Sequence, residues 1–406
     1  MEKREFDIIV FGASGYTGSF VVEELVKSYP RNSSNGFKWA VAGQTFNELD
    51  SVLEEVSELT GKDCSGVDKF LADASDLPSL IQMASKCTVI ITSVGPFRFL
   101  GENLVKACLT AGTHLIEASG EVQYILKMQL LYNTEAADKG LYIVQACGFA
   151  SVPADCGTIF LQQKFPGDLN SVEIFVETND TKKSRTFNYA SYRCLVYIHS
   201  ERKERDTLES LLNHGPKFPH EHSMAHKGYL HYNEDVHRWC QVNFQCDNSV
   251  VLRSQQLLYE AGNKRPVQSQ SYFVWPNFIK VVIGVTYLLF LAFLCHFTLF
   301  RSFIEKHPRI FSLGSCNPNK KIPRDVIGSL GFKITIIGKG WPEGTSHENI
   351  PTVTHCAQVS GYNPMYGASA IMLIQAAITV LTEKDKMFGR GGVLPPGAAF
   401  AKTTFI

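Results

Sequence analysis

Neither sign of charge is in excess in this chain of 406 residues: Lys and Arg together number 39, and so do Asp and Glu. A balanced chain offers no electrostatic ground for nucleic acid as a partner. The 11 cysteines are an odd number and are scattered without a C-x-x-C pair. They read as reduced thiols facing the cytosol, which argues against a disulfide framework. Met1–Asp7 is charged and lacks an apolar core, so no secretory signal peptide is expected. The chain also lacks G-x-S-x-G, H-E-x-x-H and Walker patterns, and it has no Tyr-x-x-x-Lys pair after the fifth strand-like run. Nothing in it therefore names a nucleophile, a catalytic zinc or a general acid. No internal repeat and no low-complexity tract is present.

What is there is an ordinary globular mix, 45% hydrophobic and 19% charged, with length for two or three domains. The first 146 residues alternate strand and helix patterns. Strand-like runs at Asp7–Phe11, Trp39–Ala42, Lys69–Ala72, Thr88–Thr92, His114–Ala118 and Leu141–Ala146 are separated by helical periodicity. Repeated βα units with short links imply a parallel sheet covered by helices on both faces.

Gly12, Ala13, Ser14, Gly15, Tyr16, Thr17 and Gly18 follow the first strand and open the first helix. In this G-x-x-G-x-x-G spacing the first glycine permits a tight turn, the second lets backbone approach a diphosphate, and the third brings helix against sheet. A helix N-terminus adds N–H donors and a positive dipole end. Glycine triplets alone are weak signals, but a strand before and a helix after make this one a Rossmann-type nicotinamide-dinucleotide site over residues 1–150. The end of the second strand reads Gly43-Gln44. An acid there would meet the ribose hydroxyl of NAD and an Arg the phosphate of NADP, so neutral Gln44 leaves NAD or NADP open. Asp73 is placed for the adenine edge, or else caps a helix. Ser93, Val94, Gly95 and Pro96 follow the fourth strand, where a loop lines the nicotinamide or simply ends the strand.

After Pro153 the pattern changes. Ser171–Thr178 and Phe332–Ile337 alternate as half-buried strands do, and Ala368–Leu381 is helix-like. These place a second, α+β domain over residues 151–277 and 302–406. Between its parts, Val281–Phe300 is twenty residues without a formal charge, bracketed by Lys280 and Arg301. A helix of that length is about 30 Å long, the thickness of a bilayer core, so residues 278–301 are expected to associate with a membrane. A simple span would separate the two alternating strands. If they share a sheet, the segment must return to its own side, as a re-entrant or monotopic hairpin broken near Gly284.

Other constellations carry less. Six histidines lie between His214 and His237, of which His220, His222 and His226 stand closest, but no zinc-site spacing surrounds them and a polar loop explains them. Cys147 and Cys156 read as buried thiols. Ser119, Glu121 and Asp155 lie at strand ends, where they contact substrate or cap helices.

Taken together, the runs FGASGYTG, WAVAG, SVGPF, EASGE at Glu117–Glu121, GFASVPADCG at Gly148–Gly157 and GGVLPPGAAF at Gly391–Phe400 resemble the saccharopine dehydrogenase-like oxidoreductases of animals. The resemblance covers essentially the whole chain. It implies a Rossmann domain, a substrate domain, an NAD(P)-linked oxidoreductase and association with lipid droplets or membranes on the cytosolic side. It extends to bacterial trans-acting enoyl reductases of glycolipid synthesis, which makes a lipid-like substrate the expectation. Relatives commonly carry Arg where Gln44 stands and Asp where Ala150 stands. A catalytically inert NAD(P)-binding scaffold on droplets is the alternative. Saccharopine chemistry in lysine metabolism comes third, since a soluble substrate needs no apolar segment. Self-association into a homo-oligomer stays open.

Overall fold

The computed structural model describes residues 4–29, 36–179, 188–198, 202–212, 221–262, 265–318 and 322–406. The chain starts with β1 (Phe6–Phe11), α1 (Tyr16–Ser28), β2 (Trp39–Gly43), α2 (Phe46–Thr60), β3 (Lys69–Leu71), α3 (Leu77–Ala84), β4 (Cys87–Thr92), α4 (Phe97–Ala111), β5 (His114–Glu117), α5 (Val122–Asp138) and β6 (Tyr142–Val144). It continues through α6 (Val152–Lys164), β7 (Gly167–Asn179), α7 (Tyr189–Ile198), α8 (Arg202–Leu212), β8 (Leu230–Asn233), β9 (Arg238–Val242), α9 (Asp247–Glu260) and β10 (Gln268–Trp275). Then come α10 (Phe278–Cys295), α11 (Thr298–Lys306), α12 (Pro308–Phe311), α13 (Arg324–Gly328), β11 (Gly331–Pro342) and β12 (Val353–Tyr362). It closes with α14 (Ser369–Thr382), β13 (Gly392–Leu394) and α15 (Pro396–Ala399).

Two compact units form, residues 1–149 with 364–405, and residues 150–363. The first unit holds a seven-stranded sheet in the order β13-β6-β5-β4-β1-β2-β3, parallel throughout. The reversal at β1/β4 is the point where a doubly wound sheet opens its crevice. Its central strands are apolar on both faces: Ile8, Ile9, Val10, Val89, Ile90 and Ile91 are all sealed, as parallel strands sandwiched by helices must be. Thr45 starts α2 by accepting the Glu48 amide on its hydroxyl, at 3.3 Å.

The expected extent of the second domain needs correction at its far end. Residues 364–405 belong to the first unit. There β13 pairs with β6, and α14 packs on α1, β4 and β5. The sequence shows α14 as apolar but carries no mark of which layer it covers.

The second unit holds a six-stranded mixed sheet, β12-β11-β7-β10-β9-β8. The two alternating runs share it: β7 and β11 are antiparallel partners, with Ile174 opposite Ile336 and Val176 opposite Ile334. β10 lies on the other side of β7. Helices α6 and α9 pack together and cover one face.

The apolar segment leaves this sheet after β10 and returns to it at β11. It is two helices rather than one of twenty residues, since α10 ends at Cys295 and α11 begins at Thr298. The expected break near Gly284 is therefore misplaced. Gly284 lies inside α10, where a Cβ would come within 2.3 Å of the Trp275 ring, so its lack of a side chain serves close packing. α7 braces the pair. Tyr192 donates to the Ile304 carbonyl at 2.8 Å, Arg193 pairs with Glu305 at 2.6 Å, and Tyr192, Val196, Cys295, Ile304 and Cys316 form a small core.

Most of the apolar surface of α10 to α12 stays outside that core. Ile279, Ile283, Phe293, Leu299 and Ile310 are each 64–87% exposed. Phe278, Leu289, Phe290, Phe297, Phe300 and Phe303 are about half exposed. A soluble surface rarely carries so large a contiguous apolar patch without a partner.

Candidate functional site

The glycine turn leaves β1 at Gly12, whose φ of +80° is in the left-handed region that favours glycine. The amides of Gly12 and Ala13 both donate to the Ala42 carbonyl, at 2.9 and 3.2 Å, which ties the turn to the end of β2. A Cβ at Gly12 would stand 2.3 Å from Val94 Cγ2, and one at Gly18 would stand 2.1 Å from the Gly12 carbonyl oxygen. The first requirement joins the turn to the loop after β4; the second lets α1 run close to the sheet. Gly15 is the exposed member and forms the N-cap of α1 without a side-chain cap. Bare backbone at a helix N-terminus is the chemistry a diphosphate needs, so these residues fit the dinucleotide.

Ser14 lies beside Gly43, its hydroxyl 3.6 Å from where a Gly43 Cβ would be. The Tyr16 ring packs on Phe20 and Tyr366, with centroids 5.9 and 4.6 Å away. Tyr16 therefore anchors the helix start, and Thr17 follows it half-buried.

Gln44 and Asp73 meet at the ends of β2 and β3: the Gln44 amide donates to Asp73 Oδ2 at 3.2 Å. The Ser75 hydroxyl and amide, with Gln44, hold the Asp73 carboxyl below its ordinary range. That pattern is a side-chain-capped turn, which gives Asp73 a local role. Leu71, opposite Gly43 in the ladder, and Phe46 are exposed apolar side chains, each two residues along the chain from a member of this polar pair.

The Ser93–Pro96 loop is held by Thr92. Its hydroxyl donates to the Phe11 carbonyl at 3.3 Å and accepts the Val94 amide at 3.2 Å. Glycine turn, β2 end and β4 loop thus converge on the carboxyl ends of the central strands.

Beyond that loop stands a buried polar cluster whose centre, Glu117, sequence reasoning did not single out, although it named Ser119 and Glu121 beside it. Glu117, at the end of β5, accepts from Ser119 at 2.7 Å, Tyr124 at 2.7 Å and Gln145 at 3.1 Å. Burial pushes its carboxyl up to about 7 despite these donors. Glu121 accepts the Phe97 amide at 2.6 Å and lies 3.4 Å from Arg98. It serves the first turn of α4, a helix distant in sequence. The pattern E-A-S-G-E marks strand-end polarity, but the pairing of its members with Tyr124, Gln145 and Phe97 is not in the sequence.

In the second unit, Asp155 of α6 accepts from Ser254 of α9 at 2.7 Å, joining the two helices. Cys147 and Cys156 are buried thiols. Asp247 accepts from Asn243 at 2.6 Å, and burial raises its carboxyl to about 7. His214 and His220 lie outside the described residues. Among the described residues, no three His, Cys, Asp or Glu side chains gather as a metal site, and His222 Nε2 instead lies 2.9 Å from the Glu348 carbonyl oxygen.

Residues 8–144 match the saccharopine dehydrogenase NADP binding domain. The human saccharopine dehydrogenase-like oxidoreductase is 34% identical over 410 residues, covering 100% of this chain and 95% of its own. A Caenorhabditis elegans relative, the lipid droplet localized protein, is 31% identical and covers 98% of this chain and 94% of its own. Among solved structures, apo saccharopine dehydrogenase (L-Glu forming) from Saccharomyces cerevisiae superposes with a TM-score of 0.52 at 13% identity, over 98% of this chain and 95% of that one. That last likeness is one of fold. With the dinucleotide cradle and near-complete alignment to the curated relatives, the chain belongs to the saccharopine dehydrogenase-like oxidoreductases and is an NAD(P)-linked oxidoreductase.

Proposed function

We propose that this oxidoreductase acts on a hydrophobic, lipid-like substrate of lipid or glycolipid metabolism while held on a lipid droplet or membrane by α10 to α12. The observation that carries this reading is the exposed apolar surface of those helices, since the 18-residue α10 carries one charged residue, Lys280, and buries only Val281, Leu291 and Cys295. Both flanks of the segment return to one sheet, through β10 and β11. This supports a hairpin seated in one leaflet, or in the monolayer of a droplet, where no second aqueous side exists for a span to reach. The C. elegans relative's name points the same way.

The cofactor, when bound, supplies or accepts the hydride. Gly12–Gly18 would hold its diphosphate, with Gly43, Gln44 and Asp73 beside the adenosine ribose and Ser93–Pro96 beside the nicotinamide. The protein's contribution is to bind and orient it at the crevice and to exclude water. Incubating the full chain with NADH or NADPH and extracted neutral and polar lipids tests the reading. Lipid-dependent oxidation of the nucleotide supports it, and none across all lipid classes refutes it.

One observation favours a second reading, nucleotide binding without turnover. Glu117 is wholly enclosed by Ser119, Tyr124 and Gln145, and Glu121 is spent on α4 and Arg98. Neither carboxyl is presented as a proton donor, which a carbonyl or enoyl reduction requires. Binding of NAD(P)H with no turnover on any lipid would select this scaffold role.

A further inference from the structure

The two edges of the second sheet are built differently. At one edge, β8 is four residues long and runs into Glu234 and Asp235. At the other, β12 is ten residues long. Natural sheets guard such edges with charge, proline, bulges or brevity, because an unpaired ladder of N–H and C=O groups accepts another strand. β12 has none of these guards. From Thr352 to Asn363 there is no Lys, Arg, Asp, Glu or Pro. Its register with β11 runs through ten consecutive pairs, Gly331–Tyr362 to Gly340–Val353, with no bulge to twist it away. Thr354, His355, Cys356, Gln358, Ser360 and Tyr362 are exposed, Tyr362 at 73%. Nearby, α6 packs on β11 and β12, and its Phe160 is 42% exposed.

We propose that β12 pairs antiparallel with β12 of a second copy, joining two six-stranded sheets into one about a two-fold axis near Ala357. The occupant is a second copy because the edge is self-complementary. An antiparallel two-fold sets the strand against its own reverse, and no charge meets its like across the axis. Thr354 then faces Ser360 of the partner subunit, and Cys356 faces Gln358 of the partner subunit. The two-fold also brings together the α6 layers, so Phe160 adds apolar contact beside the strand pairing.

Cys356 provides the probe. It is the one exposed cysteine, since Cys194 is half-buried and the other nine are buried. The full chain in mild detergent is treated with a short bis-maleimide, and its mass is measured by sedimentation. The expected result is a dimer cross-linked through Cys356, with the cross-link lost in Cys356→Ser. Gln358→Lys with Ser360→Lys puts like charges across the axis and is expected to weaken the dimer at least 100-fold, leaving the circular dichroism melt near wild type. The neutral pair Gln358→Thr with Ser360→Thr retains the dimer. A monomer at every concentration overturns the proposal, as does a dimer that neither cross-links at Cys356 nor responds to the lysines. Should the lysine variant fail to fold, cross-linking of the wild type alone decides.

Discussion

The two units spend their exposed surface in opposite ways. The first has edge strands of three residues each, β13 and β3, and its informative surface is bare backbone at the glycine turn beside Gln44 and Asp73. The second has a ten-residue unguarded edge and a pair of apolar helices, α10 and α11, whose large side chains are exposed. A parallel sheet covered on both faces presents strand-end loops, which suit a small charged cofactor. A mixed sheet reached by long antiparallel strands leaves faces and edges, which suit surfaces. On the proposed reading, ligand chemistry belongs to the first unit and placement on a membrane or droplet to the second.

Gly15→Asp is the sharpest way to break the first half of this contrast. The position is exposed and a Cβ there would lie 3.0 Å from the Gly12 carbonyl, so the fold accepts a side chain more readily than at Gly12 or Gly18. A carboxylate at the diphosphate site is expected to lower NADH and NADPH affinity at least 100-fold by calorimetry, with little change in the melt.

The second half is broken on the hairpin. Burying each large apolar side chain contributes about 1.5–3 kcal/mol. Ile283→Asp, Phe293→Asp and Leu299→Asp combined are therefore expected to weaken flotation with phosphatidylcholine vesicles 100-fold or more. Nucleotide affinity should be unchanged.

A subtler test concerns what the units share, one carboxyl each that burial raises to about 7. Burial raises Glu117 from 4.5, and Asp247 from 3.8, to about 7. Between the ordinary value and pH 7 the folded chain keeps a proton that the unfolded chain has released. Stability therefore falls as pH rises through that window and levels off above it, by on the order of 3 kcal/mol per group. Glu117→Gln or Asp247→Asn should each lose less stability than wild type between pH 5 and pH 8, read by differential scanning fluorimetry. An unchanged profile would mean the carboxyl is ionised in the fold.

Much of the first unit is legible in the sequence because its signals are local. Gly12, Gly15 and Gly18 declare the turn by spacing, and DIIVF and TVIIT declare buried parallel strands. Asp73 is harder to read, since its capping partner Ser75 is local but its Gln44 contact crosses 29 residues. Glu121 is read as a cap or a substrate contact, and it does serve a helix start, on α4. The late apolar helix α14 gives no hint of its unit, because a helix that covers a parallel sheet and one that covers a mixed sheet are equally apolar. The apolar segment is legible by its length, but the structure divides it at His296–Phe297 and not at Gly284.

The smallest expected effect lies at Gln44. Gln44→Arg supplies a cation at the end of β2 and is expected to raise NADPH affinity about fivefold to tenfold relative to NADH. An unchanged ratio would place the choice of cofactor elsewhere in the cradle.

The division of labour is tested most directly by floating the full chain with phospholipid-coated triacylglycerol droplets in NADH and scoring protein and nucleotide fluorescence in the float. The account predicts that wild type carries NADH upward, that Gly15→Asp floats without nucleotide, and that the triple hairpin variant stays below with its nucleotide bound. A hairpin variant that still floats, or a wild type that floats without NADH, would contradict it.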